Sequence, residues 1–300
     1  MAEQFKTLHL FAGATVSIRD VQCRPNGCDH GQEEMTVTNN IVFTRAGAFV
    51  KHIRGRDILG DANHALFFNR HEPYRVSHPI SGGDDCTVFT FTPEILVEAW
   101  GSRDPSVVER PERPFRSTHF VSDSATFMRQ QRLRTILRGA PGEVDGAVSI
   151  DPLAVEALAI ELLAAIVNAD CQGWVSRPRW RREDTIAAHR DQAHAAQTLL
   201  ARRFRERVSL DDVARWVHSS PYHLARIFRR EIGLPIHRYV NRLRLRAAVE
   251  LLGAGCDDLT QLALDVGYSS HSHFTNAFRR EFQISPSDFR RSIHRFPCEK

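Results

Sequence analysis

The sequence predicts an α+β protein of two domains, with a strand-rich N-terminal part and an all-α C-terminal part. Three observations lead to this prediction. A length of 300 residues is typical of two domains. Short alternating runs of apolar and polar residues fill the first hundred positions, and two copies of one helical pattern stand near the C-terminus.

The N-terminal strands are predicted from their alternation and from the turn residues between them. Clusters of Gly, Pro, Asn and Asp at 24–27 and 81–85 separate the runs. Many short strands divided by such clusters are typical of a β-sandwich or a β-barrel. The predicted strands are 15–23, 40–44, 49–56, 65–69, 74–78 and 87–92.

Two helices are predicted after the strands, at 123–138 and 151–169. The second carries an apolar stripe at helical spacing, and two partners are open for it, the protein's own sheet and a second subunit. Glu156 and Glu161 interrupt its apolar run, so we expect an amphipathic helix and no membrane span. The predicted stripe comprises Leu153, Ala157, Ile160, Leu163, Ala164 and Val167.

No targeting segment or disulfide framework is indicated by the sequence. The N-terminus lacks a basic start followed by a long apolar core. The six cysteines are unevenly spaced, unlike the regular spacing of a small disulfide-linked domain. We therefore expect a soluble, cytoplasmic protein.

Residues 209–235 and 259–286 are two variants of one design, and both contain Phe-Arg-Arg-Glu. In the first copy Ser209 and Asp212 predict a capping box for a short helix. A turn follows, and Ser220 with Pro221 predicts the start of a second helix. The second copy has Gly267 at its turn and a cap at 269 or 270. Each copy is therefore predicted to be a helix-turn-helix, a motif that reads double-stranded DNA.

The charge distribution agrees with this prediction. Residues 1–100 carry a net charge of −3 and residues 101–177 of −1, whereas residues 178–300 carry +8. Positive charge is thus concentrated where the two motifs lie, as neutralisation of DNA phosphates requires. The segment 237–255 between the motifs has apolar residues at helical spacing and is predicted to be one rigid helix.

Residues from about 185 to 292 resemble the DNA-binding domain of the AraC/XylS-type transcription regulators. The resemblance rests on the two motifs, the 242–247 stretch of the connecting helix, Gly267-Tyr268, and Ser285-Pro286 followed by Phe289-Arg290. Gln283 departs from the family, which usually has glycine at that helix end. The resemblance implies a regulator and not an enzyme, with no catalytic residues, acting on promoter DNA together with RNA polymerase.

The same resemblance implies the organisation of the whole chain. Residues 1–171 are expected to form a cupin-like, effector-sensing and dimerisation domain, 172–184 a linker, and 185–300 the DNA-binding domain. In related regulators the helices after the barrel pack against a second subunit, which favours a homodimer. The effector is a small molecule or an ion, and its identity is not indicated.

The predicted DNA contacts lie on the second helix of each motif. By position in the family, bases are contacted from the N-terminal half of each such helix. Arg226 suits the O6 and N7 atoms of guanine, and Asn276 suits adenine. The arginines that follow are expected to bind phosphates, although a purely solvated helix surface is an alternative for each of them. The full predicted set is Tyr222, Ala225, Arg226, Arg229, Arg230, His271, Ser272, Thr275, Asn276, Arg279 and Arg280.

A set of soft ligands marks the N-terminal part and predicts a possible site for Zn²⁺ or another thiophilic metal ion. Structural thiols and a redox switch are the alternatives. A metal-dependent cupin enzyme would need a His-x-His pair, which is absent from residues 1–100. A cysteine-based DNA-repair protein would need four closely spaced cysteines, which are also absent. The candidate ligands are Cys23, Cys28, His30, His78 and Cys86.

Overall fold

The structure, a computed structural model, describes residues 5–25, 31–139, 151–175 and 183–293. Its N-terminal part contains two antiparallel sheets. The larger has the strand order β1-β2-β8-β3-β6-β9, and the smaller has the order β5-β4-β7. The strands are β1 Phe5–Ala12, β2 Val16–Cys23, β3 Asn40–Gly47, β4 Phe49–Ile53, β5 Arg56–Gly60, β6 His64–Phe68, β7 Arg75–Ser77, β8 Asp84–Phe91 and β9 His119–Val121.

The strand-rich N-terminal part is confirmed, with three differences from the prediction, one of which is the unpredicted β9. The predicted strand 49–56 is a hairpin, because Arg54 and Gly55 adopt positive φ angles of 50° and 68° and turn the chain. Strand β1 was not predicted, although it pairs with β2 along its whole length. Among the described strands no hydrogen-bonded pair joins the two sheets, so a closed barrel remains a prediction.

The larger sheet has two different faces, because side chains alternate along each strand. On β2, Ile18 packs into an apolar core with the helices. Its neighbours Arg19, Val21 and Cys23 face the smaller sheet across a cavity. On β8, Phe89 lies in the helix-side core, and Val88 lies between the sheets. One sheet therefore separates the helices from the cavity.

The helices described in the N-terminal part are α1 Pro93–Gly101, α2 Ser106–Glu109, α3 Ser124–Arg138 and α4 Pro152–Val175. The predicted helices 123–138 and 151–169 are confirmed. Asp123 caps α3 by accepting from the Thr126 N–H at 2.7 Å. Helix α4 extends to Val175, into the segment that the sequence had assigned to the linker.

The face that α4 buries differs from the predicted stripe. Leu163 and Val167 are buried as expected, but Leu153 is 73% exposed and Ile160 is 38% exposed. Ala157 and Ala164 are exposed too. Apolar residues occur all around this helix, so periodicity alone could not select the face that packs on the sheet. The buried face comprises Val155, Ala159, Leu162, Leu163, Ile166 and Val167.

Within the described part of the chain, α4 is also the one helix long and apolar enough to cross a membrane by length and composition. Its window Pro152–Asp170 is 33% buried inside the fold. Glu156, which interrupts the apolar run, accepts a hydrogen bond from the Thr15 N–H at 3.0 Å. The helix thus packs as part of the sheet's core, in line with the predicted amphipathic helix.

The C-terminal part is helical, as predicted, and contains two helix-turn-helix units separated by one long helix. The first unit is α6–α7 and the second is α9–α10, with α8 between them. The helices are α5 Glu183–Arg203, α6 Leu210–Trp216, α7 Pro221–Ile232, α8 Ile236–Gly253, α9 Leu259–Asp265, α10 His271–Phe282 and α11 Pro286–Ile293.

The predicted caps are present in both units. Ser209 and Asp212 form the capping box of α6. Ser220 accepts from the N–H of His223 at 3.2 Å, and Ser270, not its neighbour at 269, accepts from the N–H of His273 at 3.2 Å. Because these caps depend on neighbouring residues alone, the sequence could predict where α6, α7 and α10 begin.

Helix α8 joins the two parts of the molecule. Its Tyr239 and Leu243 share a core with Ala48 and Leu59 of the N-terminal sheets. The hydroxyl of Tyr239 donates to the buried Asp61 carboxylate, which also contacts His64 at 2.8 Å. The helical half therefore packs directly on the sheets.

Candidate nucleic-acid interface and ligand cavity

Helix α7 presents the first group of predicted DNA contacts. Tyr222 is 73% exposed, Arg226 is also exposed, and Ala225 is half-buried between them. The Arg226 guanidinium lies 5.6 Å from the centre of the Tyr222 ring, a distance suited to a cation–π contact. Leu224, Ile227 and Phe228 fix the opposite face in the core. The exposed Arg229 and Arg230 follow in the last turn.

Helix α10 presents the second group in the same way. His271, Ser272 and Asn276 are exposed, and Thr275 is half-buried. Arg279 and Arg280 are exposed in the last turn of the helix. The buried face is aromatic and comprises Phe274, Phe278 and Phe282 together with Ala277. All eleven residues predicted from the sequence thus lie on α7 or α10.

Helix α8 holds the second unit through polar contacts, and its apolar residues lie in the cores of both units. Arg242 of α8 forms an ion pair with Glu281 of α10 at 2.7 Å, and both side chains are largely buried. Asn241 of α8 accepts from the Tyr268 hydroxyl at 2.7 Å. A cleft of about 400 Å³ between the units is lined by residues of both, among them Ala225 and His273. The spacing of the units is therefore set by one helix.

A second cavity, of about 410 Å³, lies between the two N-terminal sheets. This volume falls in the range of small-molecule sites, roughly 300–1,000 Å³. Its middle is apolar, and polar groups stand at its two ends. Phe5, Met35 and Val37 line it and are exposed, which places them at its mouth. The apolar lining further inside is Val21, Val42, Phe49, Phe68, Val76 and Val88.

One polar end of the cavity contains Arg19. Its guanidinium donates to the Thr90 hydroxyl at 3.0 Å and to the Asn40 side-chain oxygen at 3.5 Å. Burial lowers the pKa of Arg19 from its ordinary value. The sequence did not identify this residue, because a single arginine in a strand carries no distinguishing pattern.

The other polar end contains Cys23, His78 and Asp84, whose ligand atoms all lie within 4.8 Å of one another. His78 and Asp84 are in contact at 2.7 Å. Burial and the neighbouring Asp84 carboxylate raise the pKa of the Cys23 thiol to about 12. Sulfur, imidazole and carboxylate are together a suitable ligand set for Zn²⁺.

The predicted metal ligands are therefore brought together only in part. Cys23 and His78 lie in one cluster, whereas Cys86 lies beside it and donates its S–H to Asp84 at 3.0 Å. Asp84 takes the place that the sequence had given to the Cys86 thiol, because the register of β2 and β8 puts Asp84, and not Cys86, opposite Cys23. Cys28 and His30 lie outside the described residues.

Comparison with known proteins identifies the helical half. Residues 213–292 match a family described as a helix-turn-helix domain. The regulatory protein PocR of Salmonella typhimurium is 34% identical over 85 residues, which are 28% of this chain and 28% of PocR. The transcriptional activator RhaS of Escherichia coli is 40% identical over 87 residues, which are 29% of this chain and 31% of RhaS. The C-terminal domain belongs to the AraC family.

Two solved structures are also similar. An AraC-type transcriptional regulator from Chromobacterium violaceum is 30% identical, covers 37% of this chain and 99% of its own, and has a TM-score of 0.34. Apo ToxT from Vibrio cholerae is 10% identical, covers 94% of this chain and 98% of its own, and has a TM-score of 0.40.

The AraC-type domain of this chain tolerates its one noted departure from the family. Gln283 ends α10 in the left-handed conformation, with φ of 61°, where the first unit has Gly233 with φ of 82°. The Gln283 side chain donates to the Arg280 carbonyl at 3.1 Å, so it satisfies a free carbonyl at the helix end.

Proposed function

We propose that this chain is a sequence-specific transcription regulator that binds double-stranded promoter DNA through α7 and α10. The observation that carries the proposal is the pair of exposed, arginine-bearing helices, each begun by a serine cap and both held by α8. Such helices enter the major groove with their N-terminal residues against the bases. The AraC-type domain and its relatives, which are named as regulators, support the same function.

The N-terminal half is proposed to bind the effector in the cavity between its sheets, on a cupin-like scaffold. In this proposal residues 1–171 sense the effector and mediate dimerisation, 172–184 are the linker, and 185–300 bind DNA. The exposed Leu153 and Ile160 of α4 favour a homodimer, since a second subunit would cover them. RNA polymerase in the cytoplasm is the proposed downstream partner.

The role of Arg226 in base recognition can be tested by substitution. Arg226→Ala should weaken binding to the preferred site by about 1–3 kcal/mol and relax the preference at one base pair, because a bidentate contact to guanine is lost. The measurement is selection of the full chain against a randomised duplex library, followed by titration of the selected site.

Arg280→Ala is the matched control, since Arg280 lies in the last turn of α10, where phosphate contacts are expected. This variant should bind all DNA sequences more weakly and to the same extent. It should also reduce the salt dependence of binding by about one charge. If Arg226→Ala also weakened binding to all DNA sequences to the same extent, Arg226 would be a phosphate contact. If the full chain selected no sequence, the proposed function would be wrong.

A second candidate function is favoured by the cluster of Cys23, His78 and Asp84. In this alternative the effector is a thiophilic metal ion or a thiol oxidant, and the chain is a metal- or redox-responsive regulator. The donor set suits Zn²⁺, and all three residues are buried.

Elemental analysis tests this alternative. The full chain purified with Zn²⁺ and then dialysed should retain one equivalent of zinc, and Cys23→Ser should lose it because a thiolate ligand is removed. Cys256→Ser is the control, since Cys256 is half-buried on the DNA-binding side and lies outside the cluster. Zinc retained equally by Cys23→Ser and the control would exclude this site.

A further inference from the structure

The guanidinium of Arg19 carries a positive charge that no described carboxylate neutralises. Its two hydrogen bonds, to Thr90 and Asn40, go to neutral oxygens. Within residues 5–25, 31–139, 151–175 and 183–293, no acid lies at ion-pair distance from it. An arginine has five N–H donors, so most of them are directed at neither of these partners. A half-buried guanidinium in this state favours an anionic ligand.

Neutral groups hold Arg19 in place. The Asn40 side-chain oxygen accepts from the Thr90 hydroxyl at 2.6 Å and from the Thr38 hydroxyl at 3.1 Å. The Asn40 amide donates to Thr36 at 2.8 Å. These contacts orient the two residues that bind the guanidinium without cancelling its charge, which is the arrangement that recognition of an anion requires.

The other charged groups of the cavity have partners. Asp84 contacts His78 at 2.7 Å. Glu34 stands exposed at the mouth, where Tyr74 hydrogen-bonds to it. Lys51 lies behind the aromatic wall, where it donates to the Phe67 carbonyl at 2.7 Å. Among the described residues that line the cavity, Arg19 is thus the one arginine or lysine, and it stands next to an apolar middle.

We propose that the cavity binds an apolar monocarboxylate, with its carboxylate on Arg19 and its hydrocarbon body between Val42, Phe68 and Val88. One negative charge matches one guanidinium, and two parallel N–H donors fit the two oxygens of a carboxylate. The apolar lining supplies the remaining affinity by burying hydrocarbon. This inference rests on the proposed function only in treating the ligand as the effector.

Calorimetric titration of the full chain with decanoate and with decanol tests the proposal. The two probes share a hydrocarbon chain and differ in charge. Decanoate should bind at least about tenfold more tightly than decanol, and Arg19→Met should raise the dissociation constant of decanoate about 10- to 100-fold. Arg19→Lys keeps the charge and should retain part of the affinity.

Arg24→Met is the matched control, because Arg24 directly follows β2, is exposed and pairs with Asp85 at 2.6 Å. It should bind decanoate like the natural chain. Equal binding of decanoate and decanol, unchanged binding by Arg19→Met, or no binding of decanoate would overturn the proposal. Titration with the selected DNA site in parallel separates this failure from failure of the proposed function, since that duplex would still bind.

Discussion

Arg246→Ala is expected to lower the free energy of unfolding of the full chain by about 3 kcal/mol or more, since several carbonyl groups would lose their donor at once. Arg246 lies on α8 and is 1% exposed. Its guanidinium donates to the carbonyls of Ala62 and of Ser122, the latter at 2.6 Å. It also lies 4.5 Å from the centre of the Phe127 ring.

The expected loss of stability in Arg246→Ala follows from the groups that lose their partner. Burial and the adjacent Arg242 lower the pKa of Arg246 to about 9, so the side chain is still charged near neutral pH. Alanine would remove this charge and leave a void lined by unpaired carbonyls, which water would enter only by opening the contact between α8 and the sheets. Helix α8 would then lose the anchor that joins it to the segments just before β6 and α3.

Urea denaturation, followed by circular dichroism, measures this effect. Arg279→Ala is the control, because Arg279 is an exposed arginine of α10 and should change stability by less than about 0.5 kcal/mol. A loss below about 1 kcal/mol for Arg246→Ala would mean that its carbonyl partners are rehydrated in the folded state. The contact between the halves would then contribute little to stability.

Strand β2 links the cavity to this contact between the halves. Arg19 and Cys23 face the cavity, whereas Asp20 points to the other side of the sheet. The buried Asp20 carboxylate pairs with Arg134 of α3 at 3.0 Å, and Arg134 also contacts Glu250 of α8 at 3.5 Å. A ligand whose binding shifted β2 would therefore change the docking of α8 as well.

The sequence predicted the helical half well because its signals are local. Ser220 and Pro221 determine the start of α7 whatever packs around them, and the second copy repeats the evidence. The N-terminal site depended instead on tertiary structure. Asp84 could be placed beside Cys23 only once β2 and β8 were known to pair. Likewise Leu153 could be assigned to solvent only once the sheet had selected a face of α4.

Gly267→His is expected to destabilise the second helix-turn-helix unit by about 3 kcal/mol or more, whereas the reverse exchange in the first unit, His218→Gly, should change stability by less than about 1 kcal/mol. The two positions are equivalent. The N–H of His218 bonds to the Arg215 carbonyl at 3.2 Å, and that of Gly267 to the Leu264 carbonyl at 2.9 Å.

The difference between the two expected stability changes comes from the residues that surround each turn and not from the turn itself. Both residues are left-handed, with φ of 52° at His218 and 95° at Gly267. A Cβ atom at Gly267 would lie 2.5 Å from the Arg205 carbonyl oxygen, closer than carbon and oxygen can approach. His218 is exposed and already contains its Cβ atom, so its cost is limited to the left-handed conformation of a non-glycine residue.

Urea denaturation and DNA titration of the two variants test this argument together. Gly267→His should lose stability and, with it, the contacts of α10, so that binding to the selected duplex weakens to the level of α7 alone. His218→Gly should bind as the natural chain does. Gly267→Ala isolates the steric contribution, because it adds only the Cβ atom. A small effect of Gly267→Ala would show that the loop at Arg205 moves away, and that the close approach does not constrain the second unit.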